Sequence, residues 1–312
     1  MNLRSTSRLI FKGVKLLSAR AVTVRSMAYS IEERGSQYSL DYRVYFKKGD
    51  KYVSPFHDVP LYANAEKTVY NAIMEVPRWS NAKMEISVAD KLNPIKQDVK
   101  KGKARFVSNV FPYHGYMWNY GALPQTWEDP SHMDPNTNCK GDNDPLDVCE
   151  IGYRVAKRGE VRQVKVLGCV ALIDEGETDW KVLAIDVTDP LAEKLNDVSD
   201  IETEMPGFLA ATVEWFTKYK VPAGKPKNNF AFNGKAMDKD FTTRIVAETH
   251  DQWEKLMKNQ HSDPTSISRA NTTVAGDYLV SQTDAAGVVA TSPPPAPDTP
   301  IDPIVDKWHY VQ

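Results

Sequence analysis

The stretch Gly141-Asp142-Asn143-Asp144-Pro145-Leu146-Asp147 sets three carboxylates within six residues, and no Lys or Arg falls between Lys140 and Arg154 to neutralise them. Ionised carboxylates a few Å apart repel, and protonation, solvent or a bound metal must relieve them; only the metal leaves all three charged in a cleft. All-oxygen donors favour a hard ion, Mg²⁺ or Ca²⁺, over Zn²⁺. The same residue types also build an ordinary turn with no ligand. An EF-hand is excluded, because Pro145 and Leu146 replace expected ligand and Gly positions and no glutamate falls at the twelfth place. A second acidic run, Asp174-Glu175-Gly176-Glu177-Thr178-Asp179, follows an expected strand. Two such clusters in one domain point to a polynuclear metal site of the kind that activates water and shields phosphate.

The 312 residues, 41% of them hydrophobic, suffice for one large domain or two small ones. A net charge of −2 names no partner, and without a basic excess no nucleic acid is expected. Cys139, Cys149 and Cys169 are odd in number and form no CxxC pair, which suits free thiols in a reducing compartment. No apolar run reaches the length of an integral membrane segment.

Residues 1–30 stand apart. No Asp or Glu occurs from Met1 to Ile31, and on a helix Arg4, Arg8, Lys12 and Lys15 share one face opposite Leu3, Ile10, Val14 and Leu17. Lys12 interrupts the one candidate for a secretory core, so the segment reads as a mitochondrial presequence that directs the chain to the matrix.

From about Gln37 the pattern is that of strands: Tyr42, Val44 and Phe46 alternate, as do Met84, Ile86 and Val88, then Val164 and Val166. An antiparallel sheet or barrel with one buried face fits this alternation. It turns Lys83 and Glu85 to the face opposite Met84 and Ile86, and Asp179 and Lys181 to the face opposite Trp180 and Val182. Either charged pair taken alone reads best as a solvated strand face. Asp189-Pro190 and Met205-Pro206 are helix starts, and Phe208, Thr212, Trp215 and Tyr219 then recur at helical spacing. A second helix is expected over about Met237 to Asn259. Residues 263–312 shift to Thr, Ser, Ala and Pro and are expected to be extended or disordered, with Trp308 and Tyr310 available to anchor them. The aromatic segment from Phe111 to Trp127 reads as packing or as a base-stacking platform on a small barrel; nearby acids argue against a polyanion there.

The run Gly141 to Val148 resembles the signature of the soluble, family I inorganic pyrophosphatases. Glu75-Val76-Pro77-Arg78-Trp79, Asn81-Ala82-Lys83-Met84-Glu85, His114-Gly115-Tyr116, Asn119-Tyr120-Gly121 and Asp174 to Lys181 resemble the eukaryotic blocks in the same order. The likeness runs from about Tyr38 to His261, and with its presequence the chain resembles the mitochondrial form. The resemblance implies an α+β, mainly β fold: a five-stranded, OB-like closed barrel flanked by helices, with a catalytic domain over 31–262. It implies Mg²⁺, with Asp142, Asp147 and Asp179 holding the two metals that activate water. Asp144 would accept that water's proton, Asp174 and Glu128 would hold a further metal with Asp179, and Glu85 would reach the metal that arrives with substrate. Lys83, Arg105, Tyr120, Lys181, Tyr219 and Lys220 would grip the two phosphates, while Tyr116 and Glu75 line the cavity. The family's eukaryotic members are homodimers, and Trp79 is an expected contact.

Charge gives a separate check. Seven carboxylates and a pyrophosphate of about −4, set against Lys83, Arg105, Lys181 and Lys220, leave a deficit of about seven, which three to four divalent ions meet. Two other classes fit the same residues: a broader Mg²⁺-dependent hydrolase of nucleotides or polyphosphate, and an OB-like binding module whose metal only holds its loops.

Overall fold

Five strands are joined in a ring of hydrogen bonds in a computed structural model of the chain, which describes residues 29–260 and 266–312. Tyr70–Val76 pairs antiparallel with Asn119–Ala122 on one side and with Val161–Asp174 on the other. Asn119–Ala122 pairs antiparallel with Asp147–Glu150, which pairs parallel with Glu177–Asp186, and that strand returns antiparallel to Val161–Asp174. The parallel pair departs from the all-antiparallel sheet that alternation suggests. Gly121 permits the closest approach, since a Cβ there would strike the Ile73 carbonyl.

Both faces of these strands are covered, not one. Cys149, Leu172, Leu183 and Ile185 join one apolar cluster, while Val148, Ala171, Val182 and Ala184 join another. Alternation therefore sorts residues between two cores instead of between core and water. Asp179 and Lys181 share the parity of Leu183 and Ile185, so they face the first cluster, beside the helix Phe208–Lys218. That helix carries Trp215 and Phe216 inward; Phe216 stacks on Trp118 at 4.8 Å, and the indole of Trp215 donates to the Gly115 carbonyl at 2.9 Å.

The helices follow the sequence signals with two corrections. Asp189-Pro190 opens no helix: its carboxylate accepts from Leu191 N and Tyr153 N and so fixes a turn and a neighbouring loop. The helix in that region is Val198–Glu204, capped reciprocally by Asp197 and Asp200. Pro206 precedes Phe208–Lys218 by two residues, with left-handed Gly207 as N-cap. Lys239–Met257 lies within the expected second helix, capped by Asp238, and buries Ile245, Trp253 and Leu256.

A second sheet holds the N-terminal strands, Tyr29–Arg34 against Arg43–Lys48, so the boundary expected after residue 30 falls inside a strand. The rest of the expected presequence and the boundary at 262/263 lie outside the described residues. The C-terminal segment is more ordered than its composition suggests. It forms a helix, Gln282–Ala290, that buries Ala285 and Val289 against Tyr45 and Leu92. Its end pairs Trp308–His309 with Asn109–Val110, and Trp308 meets Phe111 at 5.6 Å. Polar Thr and Ser residues find partners on the body, which composition cannot report. Among the described residues no helix is long and apolar enough to cross a membrane.

One buried station ties this segment down. The Asp58 carboxylate accepts from Ser54 N (2.7 Å), Thr272 N (2.9 Å), Thr273 N (2.7 Å) and the Thr273 hydroxyl (2.6 Å). Its neighbour His57 accepts from the Trp253 indole at Nδ1 (2.9 Å), which leaves Nε2 to donate to the Ser268 carbonyl (3.0 Å). Burial pushes His57 down to about 4. Its folded pKa lies below the unfolded value, so its contribution is complete above about pH 6.5 and is lost as pH falls towards 4, by about 3 kcal/mol in all. His57→Gln, whose amide can supply one acceptor and one donor, is expected to lose that much less stability than wild type between pH 7 and 4 in urea titrations.

Candidate active site

The acid-rich loop is built on the backbone of Glu128. Glu128 N donates to the Asp144 carbonyl (3.0 Å) and Asn143 N donates to the Glu128 carbonyl (2.9 Å), so the acidic run lies against this residue as a short ladder. A Cβ on Gly141 would strike the Glu128 carbonyl, and Asn143 takes the left-handed region at φ 72 with its side chain accepting from the Trp127 indole (3.1 Å). The turn residues are therefore present, yet they aim carboxylates inward.

Ligand oxygens of Glu128, Asp142 and Asp179 lie within 4.8 Å of one another. Glu128 Oε1 accepts from Trp180 N (3.1 Å), while its buried Oε2 has no partner. Among the described residues none of Glu128, Asp142 and Asp144 has an ion pair. Burial raises Glu128 and Asp142 well above the carboxylate range, with Asp142 and Asp179 respectively adding to it. Asp144 is pushed up to about 7 by burial and by Glu85. A buried, unpartnered carboxylate oxygen pointing at two more carboxylates fits a divalent cation with oxygen donors.

These residues edge a cavity of about 160 Å³. Asp142, Asp144 and Asp147 enter from the acidic loop and the strand after it; Glu128 lies immediately behind, off the lining itself. Asp174, Asp179 and Lys181 come from the two longest strands, Lys83 and Glu85 from the edge of Met84–Ile86, and Arg105 from the segment after Lys103–Ala104. Tyr219 and Lys220 follow the helix Phe208–Lys218, and Tyr116, Tyr120 and Glu75 complete the aromatic side. All the residues named from sequence are thus brought together. Lys83/Glu85 and Asp179/Lys181 share this cavity, which corrects the reading of each pair as a solvated strand face.

Each base is held by an acid. Lys181 contacts both Asp147 and Asp179 and donates to the Tyr120 hydroxyl (2.9 Å), which in turn donates to Asp147 (2.5 Å). Lys220 pairs with Asp174, which also accepts from Tyr219 (3.2 Å). Arg105 donates to Asp98 (2.6 Å), and Lys83 lies 3.4 Å from the same carboxylate. Burial works against that charge, but Lys83 and Arg105 hold Asp98 below the usual range. Burial pushes Glu75 well up, with Asp147 adding to it, while Glu75 accepts from Ile86 N (2.7 Å). The sequence reading missed Asp98, Trp215 and Phe216 in this role. Asp98 belongs to no local pattern, and the two aromatics looked like plain helix core; Lys181 lies 5.4 Å over the Phe216 ring.

Ring-paired strands thus carry a cavity in which an excess of acids interleaves with four bases, a lining suited to cations and a small anion together. The chain belongs to the inorganic pyrophosphatase family, whose sequence profile matches residues 72–254. It is 58% identical to the Candida albicans inorganic pyrophosphatase over 91% of this chain and 98% of that protein. It is 55% identical to the Drosophila melanogaster inorganic pyrophosphatase over 91% of this chain and 84% of the relative. Among solved structures, the Schistosoma japonicum inorganic pyrophosphatase superimposes with a TM-score of 0.84 at 48% identity, over 90% of this chain and all of that one. A truncated Trypanosoma cruzi vacuolar soluble pyrophosphatase, solved in complex with PPi, gives 0.69 at 39% identity over 81% of this chain and 100% of its own.

If the acid cluster is repulsive until a cation arrives, relieving it should stabilise the metal-free protein. With chelator at pH 7, Glu128→Gln is expected to be more stable than wild type by about 1–3 kcal/mol, the range for an uncompensated buried polar group. With excess Mg²⁺ the order should reverse, as thermal unfolding in the two buffers would show.

Proposed function

We propose that this chain hydrolyses inorganic pyrophosphate to two orthophosphates with Mg²⁺. The observation that carries the reading is the cavity in which four bases face an excess of acids: the bases suit the phosphates, and the acids suit cations. Its volume of about 160 Å³ is well below that of common drug-sized pockets, which favours a small dianionic or tetra-anionic substrate over a nucleoside triphosphate. Family membership gives the plain binding module no support.

Asp142, Asp147 and Asp179 would hold one set of cations, Asp174 and Glu128 a further one with Asp179, and Glu85 the one accompanying substrate, three to four in all. Such ions lower the pKa of water and offset charge on the phosphates. Asp144, held close to neutrality by burial, suits the acceptor of the water proton. No Ser, Thr, Cys or His lines the cavity, and direct attack by water with no phosphoenzyme is the step this reading takes. Lys83 and Arg105, kept in place by Asp98, and Lys181, Lys220, Tyr120 and Tyr219 orient the phosphates and stabilise charge moving to the leaving group. Tyr116 lies between them, its hydroxyl kept protonated by burial.

Three finer readings accompany this one. The cycle of five pairings supports an OB-like closed barrel. Trp79 (57% exposed), Phe111, Trp308 and Tyr310 (76%) form an aromatic face, with His114 bonded to the Trp79 carbonyl at 3.1 Å, and a homodimer would cover it. The basic, acid-free residues 1–30 support mitochondrial import, where removal of pyrophosphate drives biosynthetic reactions forward. Solution mass and import of a reporter fused to those residues check the last two.

The decisive assay is phosphate release from pyrophosphate with Mg²⁺, with chelator, and by Asp144→Asn. Release should require Mg²⁺ and fall about 10²- to 10⁴-fold in the variant. A folded, Mg²⁺-loaded wild type that releases no phosphate would overturn the assignment.

A further inference from the structure

Asn109 is fully buried and lines no part of the cavity, yet its side chain joins three segments. Its Oδ1 accepts from Gly115 N (2.8 Å) and from Asn81 Nδ2 (2.7 Å), and its Nδ2 donates to the Val305 carbonyl (3.2 Å). Two donors on one atom and a carbonyl on the other fix the amide orientation.

Each segment leads somewhere specific. Gly115 precedes Tyr116, whose backbone exchanges bonds with the 79–80 turn: Trp79 N to Tyr116 O at 2.6 Å, and Tyr116 N to Ser80 O at 3.1 Å. Gly115 has no room for a Cβ against the Ser80 carbonyl, so the two strands of this contact are fixed at close range. Asn81 exchanges bonds with Val107, Asn81 Nδ2 to Val107 O at 2.9 Å and Val107 N to Asn81 O at 2.7 Å; two residues on, Lys83 N donates to the Arg105 carbonyl at 3.1 Å. The third partner belongs to the C-terminal strap. Trp308–His309 pairs in parallel with Asn109–Val110, and Phe111 N donates to the His309 carbonyl at 2.9 Å.

We infer that Asn109 is a positioning residue for the phosphate-gripping side of the cavity, and that the strap at 303–310 acts on Lys83, Arg105 and Tyr116 through it. The inference rests on the pyrophosphatase reading. Those three side chains leave backbone that lies outside the named strands and is joined by individual bonds and the isolated bridge between Ala82 and Phe106, and the Asn109 amide adds a cross-link. The strap in turn shields that amide from water and occupies its donor. Groups that hold a phosphate must sit within a fraction of an Å of their place, so loosening the cross-link weakens substrate binding before it touches the chemistry at the acidic wall.

Two full-length variants and two truncated chains test this. Asn109→Asp removes the donor to Val305 while keeping the acceptor; Asn109→Leu removes both; a stop after Asp302 removes the strap; Asn109→Leu in the truncated chain combines the two. The readouts are KM and kcat for pyrophosphate, calorimetric Kd for a non-hydrolysable bisphosphonate with Mg²⁺, and solution mass. Each single change should raise KM and that Kd about ten-fold with kcat within about two-fold. The combined change should be no worse than Asn109→Leu alone, because both act through one contact. Unchanged KM and Kd in folded Asn109→Asp and Asn109→Leu, or multiplied effects in the combined chain, would overturn the inference. If the truncated chain does not fold, the two Asn109 variants decide alone. A wild type that binds the bisphosphonate and releases no phosphate would sink the hydrolysis reading and leave the Kd comparison to judge Asn109.

Discussion

Repulsion among buried carboxylates is the constraint around which this molecule is arranged. Glu128, Asp142 and Asp179 are brought within 4.8 Å by backbone contacts that are themselves well satisfied, so the chain does not escape the crowding by local rearrangement. The cost is met from elsewhere: two large apolar clusters cover both faces of the ring strands, and these have enough buried area to hold an unfavourable centre in place. A centre of this kind suits cations, and oxygen donors favour hard divalent ones.

The bases pose the complementary problem. Lys83, Arg105, Lys181 and Lys220 would be costly in a buried cleft if left alone, and each is matched to an acid: Glu85 and Asp98 for Lys83, Asp98 for Arg105, Asp147 and Asp179 for Lys181, Asp174 for Lys220. Asp98 stands apart from the others because it meets only bases and is held ionised by them. It therefore orients Lys83 and Arg105 without competing for metals. The aromatic side, with Trp215 stacked on Tyr219 at 4.8 Å, closes the cavity and lowers the local dielectric.

The C-terminal segment shows how a stretch of poor core-forming composition becomes ordered. Its hydrogen bonds to the body include Thr272 and Thr273 on Asp58, the 293–299 stretch on Gly35 and Gln37, and Trp308–His309 on Asn109–Val110. At the first and third of these places the segment adds partners to the buried side chains of Asp58 and Asn109. The strap lies next to the aromatic face that includes Trp79, and its bond to Asn109 links it indirectly to the backbone before Tyr116.

Much of the site was legible in the linear sequence because its chemistry is locally dense. Asp142, Asp144 and Asp147 lie in one loop, and strand parity alone places Asp179 with Lys181 and Lys83 with Glu85. The helices at 208–218 and 239–257 announce themselves by the spacing of their apolar residues. Sequence could not say that the two charged strand faces meet, since that depends on which strands pair, and a parallel pairing between Asp147–Glu150 and Glu177–Asp186 is a long-range event. It could not find Asp98, whose partners lie 7 and 15 positions away across a turn of backbone. Nor could it order the tail, because hydrogen bonds to Asp58 and Asn109 leave no periodic mark. The sequence by itself determined the kind of chemistry, through residue types that demand cations and anions. Only the tertiary structure decided that they share one cavity and how tightly, because distance and burial set the strength of a charge interaction and neither is a property of the chain alone.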